Sequence, residues 1–165
     1  MDFCRKRYSL GKYGMILIRM GEVKLQIRSF QLSDCADVTL LMEKSLTEAC
    51  FHDTMEAFAR QLSCDSRLVL VAENDSKVVG IVIGTIDNED GYCYRIAVDP
   101  AFRRMGVGKS MVHELQNRFE QRKVKRVLVP LDTHNELTAH LYQALGFGIQ
   151  HFTKSFKKLS IVTGA

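Results

Sequence analysis

The stretch Arg103-Arg104-Met105-Gly106-Val107-Gly108-Lys109-Ser110 is where residue type and spacing in this chain point most directly to chemistry. It follows a strand-like run that ends at Val98, after the short segment Asp99-Pro100-Ala101-Phe102, and it opens a run with helical spacing. The first N–H groups of a helix have no intrahelical partner and lie at the positive end of its dipole. Glycines let an anion approach such backbone closely. Arg103, Arg104 and Lys109 add positive charge, so a diphosphate suits the turn.

Three anion-binding patterns compete for this turn, beside the plain alternative of a glycine-bearing helix start without a ligand. Gly108-Lys109-Ser110 matches the tail of a nucleotide-binding P-loop, but Arg103 stands where that motif needs glycine. Gly106 and Gly108 open a G-x-G-x-x-G fingerprint, but Met111 takes the third position and no βαβ unit surrounds it. The pattern R-x-x-G-x-G after a strand and a loop is met in full by Arg103, Gly106 and Gly108.

The elements that must carry this turn follow from periodicity. Val23, Leu25 and Ile27 alternate with polar residues and read as a strand, and Ser33-Asp34 offers a cap for a helix bearing Val38, Leu41, Met42 and Leu46. A second short helix is expected from about Thr54 to Leu62, with Met55, Phe58, Ala59 and Leu62 on one face. Leu68 to Glu73, Val78 to Ile86 and Tyr92 to Val98 read as strands separated by turns, hence an antiparallel meander. A helix is expected from about Gly106 to Arg122, with Val107, Met111, Leu115 and Phe119 four apart. A strand at Arg126 to Leu131 follows, then a helix at about Glu136 to Leu145 with Leu137, Leu141 and Leu145, ended by Gly146. Gly148 to Thr153 and Lys157 to Val162 read as final strands. The order is that of a mixed α+β domain. Residues 1–21 read as an N-terminal extension, a leader or an edge strand, and 22–165 as one domain.

Composition narrows the function classes. The chain has 165 residues, 46% hydrophobic and 25% charged, the balance of a globular domain. A net charge of +4 is mild for a nucleic-acid binder and suits an anionic ligand. Cys4, Cys35, Cys50, Cys64 and Cys93 are scattered and odd in number, which argues for free thiols in a reducing, cytoplasmic setting and against a disulfide framework or a zinc site. No apolar run is long enough to span a membrane, and no secretory signal is expected. No metal ligand set is visible.

Two separated blocks, in the right order, resemble the GCN5-related N-acetyltransferase (GNAT) family. One is Arg95-Ile96-Ala97-Val98-Asp99-Pro100 with the R-x-x-G-x-G loop. The other runs from Asn135 to Phe147, with Asn135 seven residues before Tyr142 and then Leu145-Gly146-Phe147. The resemblance covers about Val23 to Thr153. It implies the family's fold, a mostly antiparallel twisted sheet flanked by helices. It also implies direct transfer of acetyl from acetyl-CoA to a primary amine, without a metal, by a monomer or homodimer. Ile96, Ala97 and Val98 would line the pantetheine arm, chiefly through the backbone of Ile96 and Val98. The turn Arg103, Arg104, Met105, Gly106, Val107, Gly108, Lys109 and Ser110 would grip the diphosphate, and Asn135 would contact the arm or cap its helix. Tyr142 would be the general acid that protonates the departing thiolate, and the Val98 N–H would meet the oxyanion. By periodicity alone, Tyr142 reads as an aromatic on the core face of its helix.

The base is left open among Tyr92, the carboxylates Asp87, Glu89 and Asp90, the segment holding Glu48, His52 and Asp53, and a water chain. The look of the loop and closing helix is nearest to the branch that acetylates protein N-termini, including ribosomal proteins. That branch often has a glutamate where this chain has Pro130. Other expectations to be tested are a non-catalytic acyl-CoA-binding module, a P-loop hydrolase using Val127 to Asp132, and a nucleic-acid binder using Lys154, Lys157 and Lys158.

Overall fold

The computed structural model describes residues 8–10, 16–20, 23–136 and 139–153, with side chains from Lys24 onward. The apolar alternation from Val23 forms strand β3 (Val23–Ser29). Outside it, β2 (Ile16–Met20) pairs with β3 and β1 (Tyr8–Leu10) pairs with β2, both antiparallel, so residues read as an extension lengthen the sheet. Helices α1 (Cys35–Ser45) and α2 (Glu48–Asp65) follow. Then come β4 (Val69–Asn74), β5 (Lys77–Asp87) and β6 (Asp90–Val98), helix α3 (Val107–Gln121), β7 (Arg126–Pro130), α4 (Ala139–Ala144) and β8 (Phe152–Thr153). The strand order follows the sequence. Pairing is antiparallel from β1 to β6 and parallel for β6–β7 and β7–β8, where α3 and α4 provide the crossovers.

The central strands β4 and β5 are buried on both faces along most of their length because helices cover both. Val69 and Val71 of β4 pack with Val38, Met42, Ala57 and Phe58 of α1 and α2. Their neighbours Leu70 and Ala72 point the other way, toward Met111, Leu115 and Phe119 of α3 and Tyr142 of α4. The four-apart stripe of α3 reaches the sheet because glycines face it. A Cβ on Gly84 would stand 2.5 Å from Leu115 Cδ1, and one on Gly91 2.9 Å from the Phe119 ring.

Four elements differ from the sequence reading. α2 starts six residues before the expected Thr54, because Thr47 caps it by accepting the Cys50 N–H. Its buried face is Cys50, Thr54, Ala57, Phe58 and Gln61, while Ala59 is exposed. The Thr54 hydroxyl lies by Cys50, and the Gln61 amide N–H donates to the Asp65 carbonyl while its Oε1 is buried without a partner. Asp34 sits at the start of α1, but its carboxylate takes both Arg28 nitrogens and the Gln31 N–H instead of capping the helix. In α4 the inward residue is Tyr142, with Leu141 half exposed; Leu137 lies outside the described residues. Gly146, at φ +106°, ends this helix as expected, with Phe147 N–H bonded back to the Tyr142 carbonyl. Gly148 to Thr153 is strand only at its last two residues, since Ile149–His151 forms a 3-10 turn tied by Gly148 N–H to His151 Nδ1. The strand expected at Lys157 to Val162, and Lys154, Lys157 and Lys158, lie outside the described residues. No described helix is long and apolar enough to cross a membrane.

Candidate active site

Asp99 sets the entry to the anion turn. Its carboxylate accepts the Ala101 N–H and pairs with Lys44, and these two partners hold its pKa below the ordinary carboxylate value. The chain then turns through Arg104 (φ 63°) and Gly106 (φ 80°), both left-handed, into α3. Successive N–H groups in such a turn converge on an anion-sized concavity. Among the described residues, the N–H groups of Arg104, Met105, Gly106, Val107, Gly108 and Lys109 give no backbone hydrogen bond, and no side chain caps the helix. Arg103, Arg104 and Lys109 form no ion pair among the described residues. Arg103 Nε donates to the Val98 carbonyl, tying the turn to the strand end. The Ser110 hydroxyl donates to the Gly106 carbonyl and is engaged with its own helix, and Val107 is buried in the core. The free amides and unpaired cations fit a diphosphate.

Beside this turn the sheet opens. β6 and β7 pair only at Asp90–Arg126, Gly91–Val127 and Tyr92–Leu128, and part beyond them. A bulge at this point leaves Tyr94 without a partner on β5, since Ile83 faces Arg95 and Gly84 faces Cys93. Past the bulge, Asp99 N–H bonds the Val79 carbonyl, so the alternation of an antiparallel ladder turns Ala97 toward Ile81 and turns the backbone of Ile96 and Val98 toward the opening. Ala97 therefore gives its side chain to the α1–α2 core and no backbone group to the open edge. Ile96 and Val98 offer an amide arm a strand edge. Gly108 adjoins them: a methyl placed on it would lie 3.5 Å from Ile96 Cδ1, 3.8 Å from Val98 Cγ2 and 3.4 Å from Leu145 Cδ2.

The far side of the opening is the turn after β7. Arg95 is 4% exposed and its guanidinium meets Asp132 at 2.5 Å, across the gap between β6 and this turn. Asp132 also accepts the N–H groups of His134 and Asn135. Asn135 is buried; its amide donates to the Pro130 carbonyl and accepts the Asp132 N–H. It therefore braces the turn, and it lies within hydrogen-bonding reach of the Tyr142 hydroxyl. Pro130 is the last residue of β7, where no partner on β6 requires an N–H. Tyr142 is buried edge-on against Phe147, near Cys93 and Arg95, and burial pushes its phenol well above the usual range. It is protonated at neutral pH, as an acid must be.

Toward α2 the opening continues as a cleft of about 220 Å³ lined by Asp53, Glu56, Arg60, Tyr94, Asp132, Thr133 and His134. His134 Nε2 lies 2.9 Å from Asp53 Oδ2. The base candidates divide accordingly. Tyr92 is half buried, and burial together with Asp90 and Asp87 raises its pKa. A group held protonated is a poor proton acceptor, so this environment disfavours Tyr92 as a base. Asp90 is paired with Arg126 and Glu89 with Lys125 at the closed end of the opening, away from the turn. Asp132, the carboxylate a P-loop reading would give to magnesium, is committed to Arg95 and two N–H groups.

Sequence reasoning gave His134 no role, took Arg95 only as part of the family block, and took Asp132 only as the end of a P-loop strand. A lone arginine within Cys93-Tyr94-Arg95-Ile96-Ala97-Val98 was a signal for a buried acidic partner, but nothing local named Asp132, 37 positions on.

Comparison with known proteins agrees with this geometry. The model of the acetyltransferase (GNAT) family matches residues 36–147, more than half of the chain. Among solved structures, Ard1 from Thermoplasma volcanium is 26% identical, covers 76% of this chain and 83% of its own, and superposes with a TM-score of 0.61. The PaiA N-acetyltransferase of Thermoplasma acidophilum, solved with coenzyme A, is 15% identical over 75% of this chain and 89% of its own, with a TM-score of 0.62. The ribosomal-protein-S18-alanine N-acetyltransferase of Escherichia coli is 20% identical over 75% and 77%, with a TM-score of 0.55. With the glycine-bearing turn, the parted strands and the closing helix in this order, the chain belongs to the acetyltransferase (GNAT) family.

Proposed function

We propose that this chain moves the acetyl group of acetyl-CoA directly to a primary amine in a ternary complex, with the cofactor along the open edge of β6 and the acceptor entering through the cleft beside α2. The observation that carries this reading is the parting of β6 and β7 beyond Tyr92 and Leu128, which joins the free amides of Arg104 to Lys109 to a cleft with three carboxylates.

Bound acetyl-CoA supplies an acetyl group activated as a thioester. The amides from Arg104 to Lys109 hold its diphosphate, helped by Arg103, Arg104 and Lys109. The backbone of Ile96 pairs with its arm, and the Val98 N–H donates to the carbonyl oxygen as negative charge gathers there. Tyr142 supports the sulfur as it leaves. An ordinary thiol has a pKa of about 8.5 and a phenol about 10. Burial raises Tyr142 further, so its contribution is a hydrogen bond to the departing sulfur more than complete proton transfer.

A cleft of about 220 Å³ is smaller than the ~300–1,000 Å³ that drug-sized ligands occupy. It suits the end of an alkylamine, a lysine side chain or a peptide N-terminus. Asp53, Glu56 and Asp132, set against Arg60 and Arg95, leave its surroundings net negative and favourable to an ammonium. A cytoplasmic setting fits the free thiols of Cys35, Cys50, Cys64 and Cys93. The test is release of coenzyme A thiol from acetyl-CoA across alkylamines, lysine derivatives and N-terminal peptides. Amine-dependent release supports the reading. Coenzyme A binding without release across the panel overturns it in favour of a non-catalytic acyl-CoA-binding module.

A further inference from the structure

We propose that His134, oriented by Asp53, is the base that takes the proton from the acceptor ammonium; this rests on the acetyltransferase reading above. An ammonium has no lone pair, so the acceptor must lose a proton before it attacks. Among the described residues His134 is the imidazole in the cleft. Its Nε2 is 2.9 Å from Asp53 Oδ2, and its Nδ1 has no hydrogen bond among the described residues. With the Nε2 proton donated to Asp53, the tautomer leaves the Nδ1 lone pair for a substrate, and the carboxylate fixes the orientation of the ring.

The imidazole stands on a braced turn. His134 N–H bonds Asp132, Asp132 is held by Arg95, and Asn135 is bonded to the Pro130 carbonyl. The charged and titratable groups around it are Asp53, Glu56 and Arg60 from α2, Tyr94 and Arg95 from β6, and Asp132 from its own turn. Glu56 is paired with Arg60 and largely exposed, so it is the poorer base.

In the step, Nδ1 takes one ammonium proton and frees the nitrogen lone pair. The C–N bond then forms and the thioester C–S bond breaks, with the bonding pair leaving on sulfur. The second proton lost from nitrogen balances the one gained by the thiolate, and the proton on His134 passes to solvent.

The test is the pH dependence of kcat/KM for H134Q and D53N, with coenzyme A affinity measured on both. H134Q should lose about 10²-fold near neutral pH and recover as pH approaches the pKa of the amine itself, where free base is present without help. D53N should lose at least about 10-fold. Added imidazole should restore part of the rate to H134A, and coenzyme A affinity should not move. H134Q with the rate and acid limb of the unchanged protein refutes the base alone. Loss of coenzyme A affinity in H134Q or D53N refutes it in favour of a structural clasp between α2 and the turn. Absence of thiol release by the unchanged protein with every amine refutes the acetyltransferase reading and the base together.

Discussion

Replacing Arg95 by methionine tests whether one buried ion pair holds the two sides of the site in register. The guanidinium is 4% exposed and lies 2.5 Å from Asp132. Removing one partner of a buried pair costs ~3–5 kcal/mol, because the other charge is left uncompensated. Two features reduce that figure. Asp132 keeps the N–H groups of His134 and Asn135 and is 16% exposed, so it is not stranded. Arg95 Nε is buried without a partner, an unmet donor that costs ~1–3 kcal/mol and vanishes with the arginine. The net expectation is a loss of about 2–3 kcal/mol. For a chain of this length that lowers Tm by roughly 5–10 °C. Thermal unfolding followed by circular dichroism on R95M, D132N and the double variant measures it. The double variant should be less destabilised than the two singles combined, by about 1–2 kcal/mol. A Tm within about 2 °C of the unchanged protein, or strict additivity, would refute the view that this pair braces the turn carrying His134.

Three further outcomes follow from the geometry. Gly91→Ala places a Cβ 2.9 Å from the buried Phe119 ring and should cost ~1–3 kcal/mol in thermal unfolding; an unchanged melt would contradict the close seating of α3. Tyr142→Phe should lower kcat by roughly 10²-fold while coenzyme A affinity, read by calorimetry, stays similar; unchanged turnover would remove the phenol from the mechanism. Arg28 holds the Asp34 carboxyl below its ordinary value of 3.8, so the stability it contributes is present above that pH and is lost as pH falls through the lower folded value. In D34N the acid side of a urea-midpoint profile should flatten, and an unchanged slope would show that the pair contributes nothing.

The parts of the fold legible in the sequence are those fixed by neighbours a few residues apart. Gly106 and Gly108 after a strand, and Val107, Met111, Leu115 and Phe119 four apart, specify the turn and α3 locally, and both form. The face of α2 is not legible because Thr54 and Gln61 look like surface residues; both are buried beside neighbours within their own helix. Gly148 to Thr153 has a strand-like look, but the His151 side chain offers its backbone an alternative partner. The candidate site is legible only in part. Ile96, Val98, the turn and Tyr142 follow from the family pattern. The pairs Arg95–Asp132 and Asp53–His134, 37 and 81 positions apart, exist only once the sheet has opened beside α2.

In the proposed reaction, free backbone amides entering α3 bind the diphosphate of coenzyme A. Amide chemical shifts followed during titration with coenzyme A, and separately with pantetheine, which lacks the diphosphate, test it most directly. Large shifts are expected at Arg104 through Lys109 with coenzyme A and none there with pantetheine. Saturation by coenzyme A with those six amides unmoved, or no binding at all, would contradict it.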